Sequence, residues 1–348
     1  MIVLQVIGIV IGIFILYLLI VSIIPGFSVR AQPLEKSARS TREADAKSSR
    51  SRTDVSFKVK GTSLSAWLYL PKDLSDPVPC IVMAHGLGGT KDAGLGSYAT
   101  HFQEAGFAVL AFDYRHWGES GGEPRQLIWT PYQLEDYRAA IDYARSLEEI
   151  DQARIALWGT SFSGGHVIVT AAKDKDIACA VAQCPWLDGL AAAKAAAKMQ
   201  SVGRGLRLIM HGQRDIVRSY LGLSPHTIPI VGKSGSTAIL AFSEAYEAFE
   251  KLVPGNFINE ACARIMIRMD KYRPIKKAKK VRCPVLLQIC DKDEPLPMSV
   301  IEEAANQMGE HSEVKHYPIG HFDIYIGSNF EKSVCDQLEF FTKHLLSQ

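Results

Sequence analysis

The chain has no CxxC pair, no Cys/His ligand spacing, no internal repeat and no strong excess of either charge. Seven cysteines, odd in number and scattered, do not form a disulfide framework or a zinc-binding pattern. They read as reduced core residues, in keeping with a reducing compartment. A net charge of +2 over 348 residues lacks the electrostatic footprint of a nucleic-acid binder. What is present, 47% hydrophobic and 22% charged residues, is ordinary for a globular protein.

One long apolar run stands apart. Ile2 to Ile24 is interrupted only by Gln5, Ser22 and two glycines. Some ~20 helical residues reach ~30 Å, the thickness of a bilayer core. A cleaved signal peptide is the rival reading, but it wants a basic start, a shorter apolar core and a small-residue cleavage site. No Lys or Arg precedes this run, and Pro25-Gly26-Phe27 is a poor cleavage site. Residues 1–25 are therefore expected to be a retained single-pass anchor. Arg30, Lys36, Arg39 and Arg42 follow it, which places the C-terminal part in the cytosol by the positive-inside rule. Residues 26–54 are rich in Ser, Arg, Lys, Glu and Ala and read as a polar tether.

From Val55 the texture changes. Val55–Lys60 and Leu64–Leu70 alternate around Gly61-Thr62 like a hairpin. Continuous apolar runs follow at Cys80–Ala84, Ala108–Phe112, Ile155–Trp158, Ala178–Gln183 and Pro284–Ile289. They suit strands buried on both faces. Helical spacing lies between or after them, at Tyr98–Glu104, Tyr132–Leu147, Val300–Gln307 and Phe330–Leu346. This alternation predicts an α/β domain over 55–348, a mostly parallel sheet with helices on both faces. The pattern breaks at about 186–280, where Ala191–Ala197 and Glu244–Leu252 look helical and Gly222–Ser236 is rich in Gly, Pro and Ser. So long a stretch is expected to be a helical cap inserted over the sheet's carboxyl edge rather than a loop.

The stretch "IALWGTSFSGGH" ends a strand in small residues around Ser161. A serine hydroxyl needs a base to become a nucleophile, and a sharp strand-to-helix turn projects it toward substrate. That turn crowds the backbone, so the positions two before and two after must be small; here they are Gly159 and Ser163. Ser163 is the alternative nucleophile. An oxyanion hole would take the N–H of Phe162 and a second N–H from the glycine-rich loop of "AHGLGG", at Leu87. The base should follow the last strand, and "YPIGHFD" offers His321; His316 falls inside the strand Glu313–Tyr317 and should point away. For the acid, "PVLLQICDKDEP" offers Asp293 ahead of Asp291 and Glu294, with Asp188 and Asp215 as further candidates, the latter on a cap helix with His211. His116 and His166 precede the acid or sit at the elbow. The order Ser161, Asp293, His321 differs from the chymotrypsin and subtilisin orders.

With HGLGG, GTSFSGG, DKDEPLP and GHFDIY in that sequence, the chain resembles the α/β-hydrolase superfamily from Phe57 to Leu346. "AFDYRHWGESGGEPR" is similar to the D-x-R-x-x-G-x-S-x-G loop after the fourth strand, with His116 where many relatives carry Gly. "YRPIKKAKKVRCPVL" and "PHTIPIVGKSG" look like a bacterial-type branch of serine esterases with a helical cap. The resemblance implies the α/β-hydrolase fold, Ser161/Asp293/His321 as the catalytic set, and backbone donors at Leu87 and Phe162. The implied activity is hydrolysis of carboxylic esters through an acyl-enzyme, with no metal or organic cofactor. A thioesterase, a peptidase, or a binding protein without turnover are the alternatives. The partners expected are a small-molecule or lipid ester and, through the N-terminal helix, the membrane. Ile209, Met210, Leu221, Leu223, Ile228, Ile230 and Phe242 are candidates to line an apolar acyl pocket or to form the cap's own core.

Overall fold

A computed structural model describes residues 2–23, 52–72, 74–242, 245–294 and 296–347. Helix α1 (Ile2–Ile23) is predominantly apolar, none of its residues 2–20 is buried, and it is long enough to cross a bilayer. Residues 24–51, most of the expected tether, lie outside the described residues. The expected boundary at 55 needs correction, because Arg52–Asp54 already belong to the first strand, where they pair with Trp67–Tyr69.

An eight-stranded sheet forms the body. Its strands are β1 (Arg52–Val59), β2 (Thr62–Tyr69), β3 (Val78–Ala84), β4 (Ala108–Phe112), β5 (Ile150–Thr160), β6 (Ile177–Gln183), β9 (Val285–Cys290) and β10 (Ser312–Tyr317). They lie in the order β1-β2-β4-β3-β5-β6-β9-β10. The β1–β2 hairpin and the β2–β4 pairing are antiparallel, and the other ladders are parallel. The apolar runs are unbroken because the central strands are buried on both faces. Ile81, Met83, Val109 and Trp158 face one core; Cys80, Val82, Leu110 and Leu157 face the other.

The first face is covered by α2 (Leu95–Glu104) and α9 (Gly327–Leu345), which meet through Phe102 and Phe341 at 5.3 Å between ring centroids. Trp158 also donates to Gln337 Oε1 of α9 at 2.9 Å. The second face is covered by α3 (Thr130–Arg145) and α4 (Phe162–Ala171), while α8 (Met298–Met308) packs beside β9 and β10. All seven cysteines are unpaired and six are buried.

The insertion between β6 and β9 is less helical than expected. It holds α5 (Gly189–Met199), α6 (Val202–Tyr220) and α7 (Ala245–Leu252). It also holds a two-stranded sheet of β7 (Thr227–Ile228) with β8 (Ala261–Cys262), and 3-10 turns from Ala263 to Lys280. β7 falls within the Gly/Pro/Ser-rich stretch. Backbone links replace helical packing there: Cys262 N–H donates to Gln126 O at 2.9 Å and Ala263 N–H to His226 O at 2.9 Å.

Candidate active site

The parallel strands all end at one edge, so the loops after β3, β5, β9 and β10 gather there. β5 sits between β3 and β6, which puts the turn at Ser161 beside the loop at His85–Gly89.

The turn at Ser161 is strained in the manner its small neighbours predict. Ser161 has φ 53° and ψ −117°. A Cβ on Gly159 would lie 2.4 Å from Ser163 O, and one on Gly165 would lie 2.3 Å from Trp186 O. Only glycine permits either approach. The turn is pinned on both sides, by Ser161 N–H to Gln183 O at 2.9 Å and Trp186 N–H to Ser161 O at 2.8 Å.

Ser161 Oγ lies 3.1 Å from His321 Nε2, and His321 Nδ1 lies 2.5 Å from Asp293 Oδ2. The second oxygen of Asp293 accepts Leu296 N–H at 3.1 Å. The Asp293 side chain is 2% exposed, so its charge is poorly screened. Burial opposes protonation of His321, but the Asp293 charge and hydrogen bond outweigh it, and Cys184 beside the ring adds to them. The imidazole is held well above its ordinary range. Burial in turn pushes the Asp293 carboxyl up, against the pull of His321.

Other candidates fall elsewhere. Ser163 Oγ donates to His85 O and meets Tyr114 Oη at 2.7 Å, so it is not aimed at His321. Asp291 pairs with the outward-facing His316 at 2.7 Å. Asp188 caps α5 and binds Arg273 at 2.7 Å. Asp215 is buried on α6 against Arg264 at 2.6 Å, and His211 of the same helix stacks on His226. His166 lies between Tyr272 Oη at 2.6 Å and Gln133 Oε1 at 3.1 Å. His116 occupies a left-handed position, φ 74°, where the loop pattern has glycine; its ring stacks on Tyr132.

Leu87 lines the same cavity as Ser161, and Phe162 follows Ser161 directly in the chain. Phe162 opens α4, where helix geometry leaves the first N–H groups without intrahelical acceptors. A Cβ on Gly86 would sit 3.1 Å from Ser161 Cβ, which measures how closely the Leu87 loop approaches. That loop is braced by a buried ion pair not anticipated from the sequence. Lys91 Nζ donates to Asp113 Oδ2 at 2.8 Å and Lys91 N–H to Asp113 Oδ1 at 2.7 Å. Asp113 is the first residue of the D-x-R-x-x-G-x-S-x-G loop, and a Cβ on Gly118 of that loop would lie 2.2 Å from its carboxylate. Cys184 and Tyr325 were also missed. They lie beneath the histidine loop, with Cys184 Sγ 3.6 Å from Thr160 Oγ1 and Tyr325 Oη bonded to the same hydroxyl. Nothing local in the sequence marks them.

A small cavity of about 50 Å³ opens at Ser161 and His321, closed from the cap by Leu240, Phe249, Leu252 and Val253. This revises the expected pocket lining. Ile209, Leu221 and Leu223 are exposed, and Met210 is only partly buried. Ile228 and Ile230 belong to the buried core, with Ile230 pressed over Gly88, and Phe242 stacks on Phe322. A larger cleft of about 1060 Å³, bordered by Trp129, Arg138 and Arg268, has none of Ser161, Asp293 or His321 in its wall. Among the described residues no group of three or more His, Cys, Asp or Glu is placed to hold a metal ion.

The family described as X-Pro dipeptidyl-peptidase (S15 family) matches residues 60–203. The quorum-quenching protein AidA of Acinetobacter baumannii is 41% identical over 289 residues, 82% of this chain and 93% of its own length. The thiohydrolase aneE of Aspergillus aculeatus is 27% identical over 83% of this chain and 92% of its own. The crystal structure of the α/β hydrolase GrgF from Penicillium superposes with a TM-score of 0.73 at 26% identity, covering 85% of this chain and 99% of that one. The chain therefore belongs to the α/β-hydrolase superfamily, among its S15- and esterase-like hydrolases.

Proposed function

We propose that this chain is a membrane-anchored serine hydrolase that cleaves carboxylic esters through an acyl-enzyme. The observation that carries the reading is the hydrogen-bonded series Ser161 Oγ, His321, Asp293 at 3.1 and 2.5 Å, set at a strained strand-to-helix turn. In this reading His321 Nε2 takes the Ser161 proton as Oγ attacks the ester carbonyl. The N–H groups of Leu87 and Phe162 stabilise the resulting oxyanion. The C–O bond then breaks, His321 gives its proton to the leaving alcohol, and the acyl group stays on Ser161. Water, deprotonated by His321, releases the acid and restores Ser161. Asp293 holds the imidazole tautomer and balances the imidazolium charge. Catalysis of this kind asks nothing of a metal or organic cofactor.

The cavity at Ser161 and His321 is small, about 50 Å³, and its wall is mainly apolar. A short acyl group fits with small adjustment; a long or lipid acyl chain requires Leu240, Phe249 or Leu252 to move. The anchor reading rests on α1, whose 22 residues reach ~33 Å at 1.5 Å each, and on the basic residues that follow it, which favour a cytosolic catalytic domain. A thioester substrate is the second reading, carried by the similarity to a thiohydrolase.

The test is fluorophosphonate labelling of the full chain beside Ser161→Ala and Ser163→Ala, then p-nitrophenyl esters of increasing chain length and matched acyl thioesters. Labelling lost only in Ser161→Ala, with ester turnover exceeding thioester turnover, is the expected result. A folded parent that neither labels nor turns over any of these substrates refutes it.

A further inference from the structure

Helix α6 is amphipathic with its faces reversed. Its charged side points inward. Arg204, Arg214 and Asp215 are buried. Asp215 accepts His226 N–H at 2.8 Å and Arg264 Nε–H at 2.6 Å, and Arg204 donates to Ser236 O at 2.7 Å. Its apolar side points outward. Val202 is 78% exposed, Leu206 57%, Ile209 45% and Tyr220 84%. These positions follow i, i+4, i+7 and i+18, which is one stripe of a helix. Met199 before the helix and Leu221 and Leu223 after it extend the exposed apolar surface. The inward bonds fix this orientation, so the stripe cannot simply roll into the core.

Three further observations select one occupant for that face. First, α1 packs beside α6, where Tyr17 Oη donates to Gln213 Oε1 at 3.2 Å. Gln213 stands four residues after Ile209, on the same stripe. Second, the depth of that contact is defined. Tyr17 lies six residues before Ile23, where the helix ends. At 1.5 Å per residue this is ~9 Å inside the end of α1. Interfacial amphipathic helices bury their apolar face ~5–10 Å below the headgroups. Third, residues 189–214 contain five basic residues and no Asp or Glu, and Lys194, Lys198 and Arg207 are exposed. Basic side chains beside an apolar stripe suit anionic lipid.

We infer that α6 is an interfacial membrane helix, which lays the cap on an anionic bilayer surface alongside α1. This rests on the reading of α1 as a membrane segment. The partner is the lipid surface itself, not a second protein. The cap that closes over Ser161 would then be held at the headgroup level, and its side chains would respond to the bilayer.

The full chain is the test object. Cys335, the exposed cysteine, is replaced by serine, and single cysteines are introduced as Leu206→Cys or, for control, Glu302→Cys on exposed α8. Each is labelled with a small environment-sensitive fluorophore. The protein is reconstituted in phosphatidylcholine vesicles with and without phosphatidylserine. Quenching by headgroup-proximal nitroxide lipid and by aqueous iodide is then read, after an alkaline carbonate wash. The expected result is retention through the wash, with the 206 probe quenched severalfold more by lipid than the 302 probe and shielded from iodide. That contrast should be larger with phosphatidylserine. Retention with the 206 probe as open to iodide as the 302 probe overturns the inference and leaves the anchor standing. Shielding from iodide without lipid quenching also overturns it, and assigns the face to another copy or protein. Release by the wash removes the anchor, and the inference with it.

Discussion

Ser163 stands where the elbow pattern has glycine, and its hydroxyl has a definite task. The side chain is 1% exposed, donates to His85 O and accepts from Tyr114 Oη–H at 2.7 Å. Ser163→Ala removes one oxygen and leaves a buried carbonyl and a buried phenol without that partner. An unsatisfied buried group costs ~1–3 kcal/mol, and two put the loss at about 2–6 kcal/mol. At roughly 2–4 °C per kcal/mol, thermal melting of the detergent-solubilised full chain should fall by about 10 °C. A second consequence is chemical. His85 begins the loop that carries Gly86 and Leu87, so freeing its carbonyl loosens the proposed oxyanion donor. Losing such a donor outright costs ~10²–10³ in kcat, and a loosened one should cost about tenfold, with KM little changed. Fluorophosphonate labelling at Ser161 should persist, more slowly. Unchanged melting and unchanged kcat in Ser163→Ala would refute the reasoning and reduce Ser163 to a merely small residue.

Two pH measurements probe the buried histidines. Since Asp293 holds His321 well above its ordinary range, the acid limb of kcat/KM should have its midpoint above the free-histidine value of about 6.5. Asp293→Asn should move that limb to lower pH and cut kcat by about 10⁴-fold; a limb that stays in place would assign it to another group. His166 behaves oppositely, because burial first and the neighbouring His85 second push its pKa down to about 3. The unfolded chain takes up that proton near pH 6.5 and the folded chain does not. The stability is therefore complete above ~6.5 and lost as pH falls toward 3, by roughly 5 kcal/mol over the whole window. Denaturant titrations between pH 7 and 4 should show this slope, and His166→Gln should flatten it; an equal slope in the variant would sink the assignment.

Much of the site was legible because each part obeys a local rule. The elbow announces itself through the small residues Gly159 and Ser163, two before and two after Ser161, and a Cβ on Gly159 would lie 2.4 Å from Ser163 O. The glycine-rich loop, the acid loop and the histidine loop each follow an apolar run, and a parallel sheet brings such loops to one edge whatever their separation in sequence. The strands were legible for the same reason, since burial on both faces writes an unbroken apolar run. Lys91 and Asp113 were not legible as a pair. They lie on different loops, and a buried ion pair has no periodic signature; only the closeness of β3 and β4 joins them. Cys184 and Tyr325 meet beneath His321 for a similarly nonlocal reason.

The cap marks the deeper limit of sequence reading. Periodicity tells which residues share a face of a helix, but not which face turns inward; the usual rule sends the apolar face to the core. Applied to Ile209, Leu221 and Leu223, that rule puts them in an acyl pocket or in the cap's own core, and they lie in neither. In α6 the buried partners decide otherwise. Asp215 is satisfied by Arg264, forty-nine positions away, and by the backbone of His226, and Arg204 by the carbonyls of Ser236 and Ala238. Withdrawing those groups to expose them would break several charge-assisted bonds, each worth about 1.5–3 kcal/mol, so the charged face stays inside and the apolar face is left outside. Such an arrangement is costly in water alone. It becomes favourable where the outside is lipid, and the apolar α1 alongside is the feature of this chain that would bring lipid there.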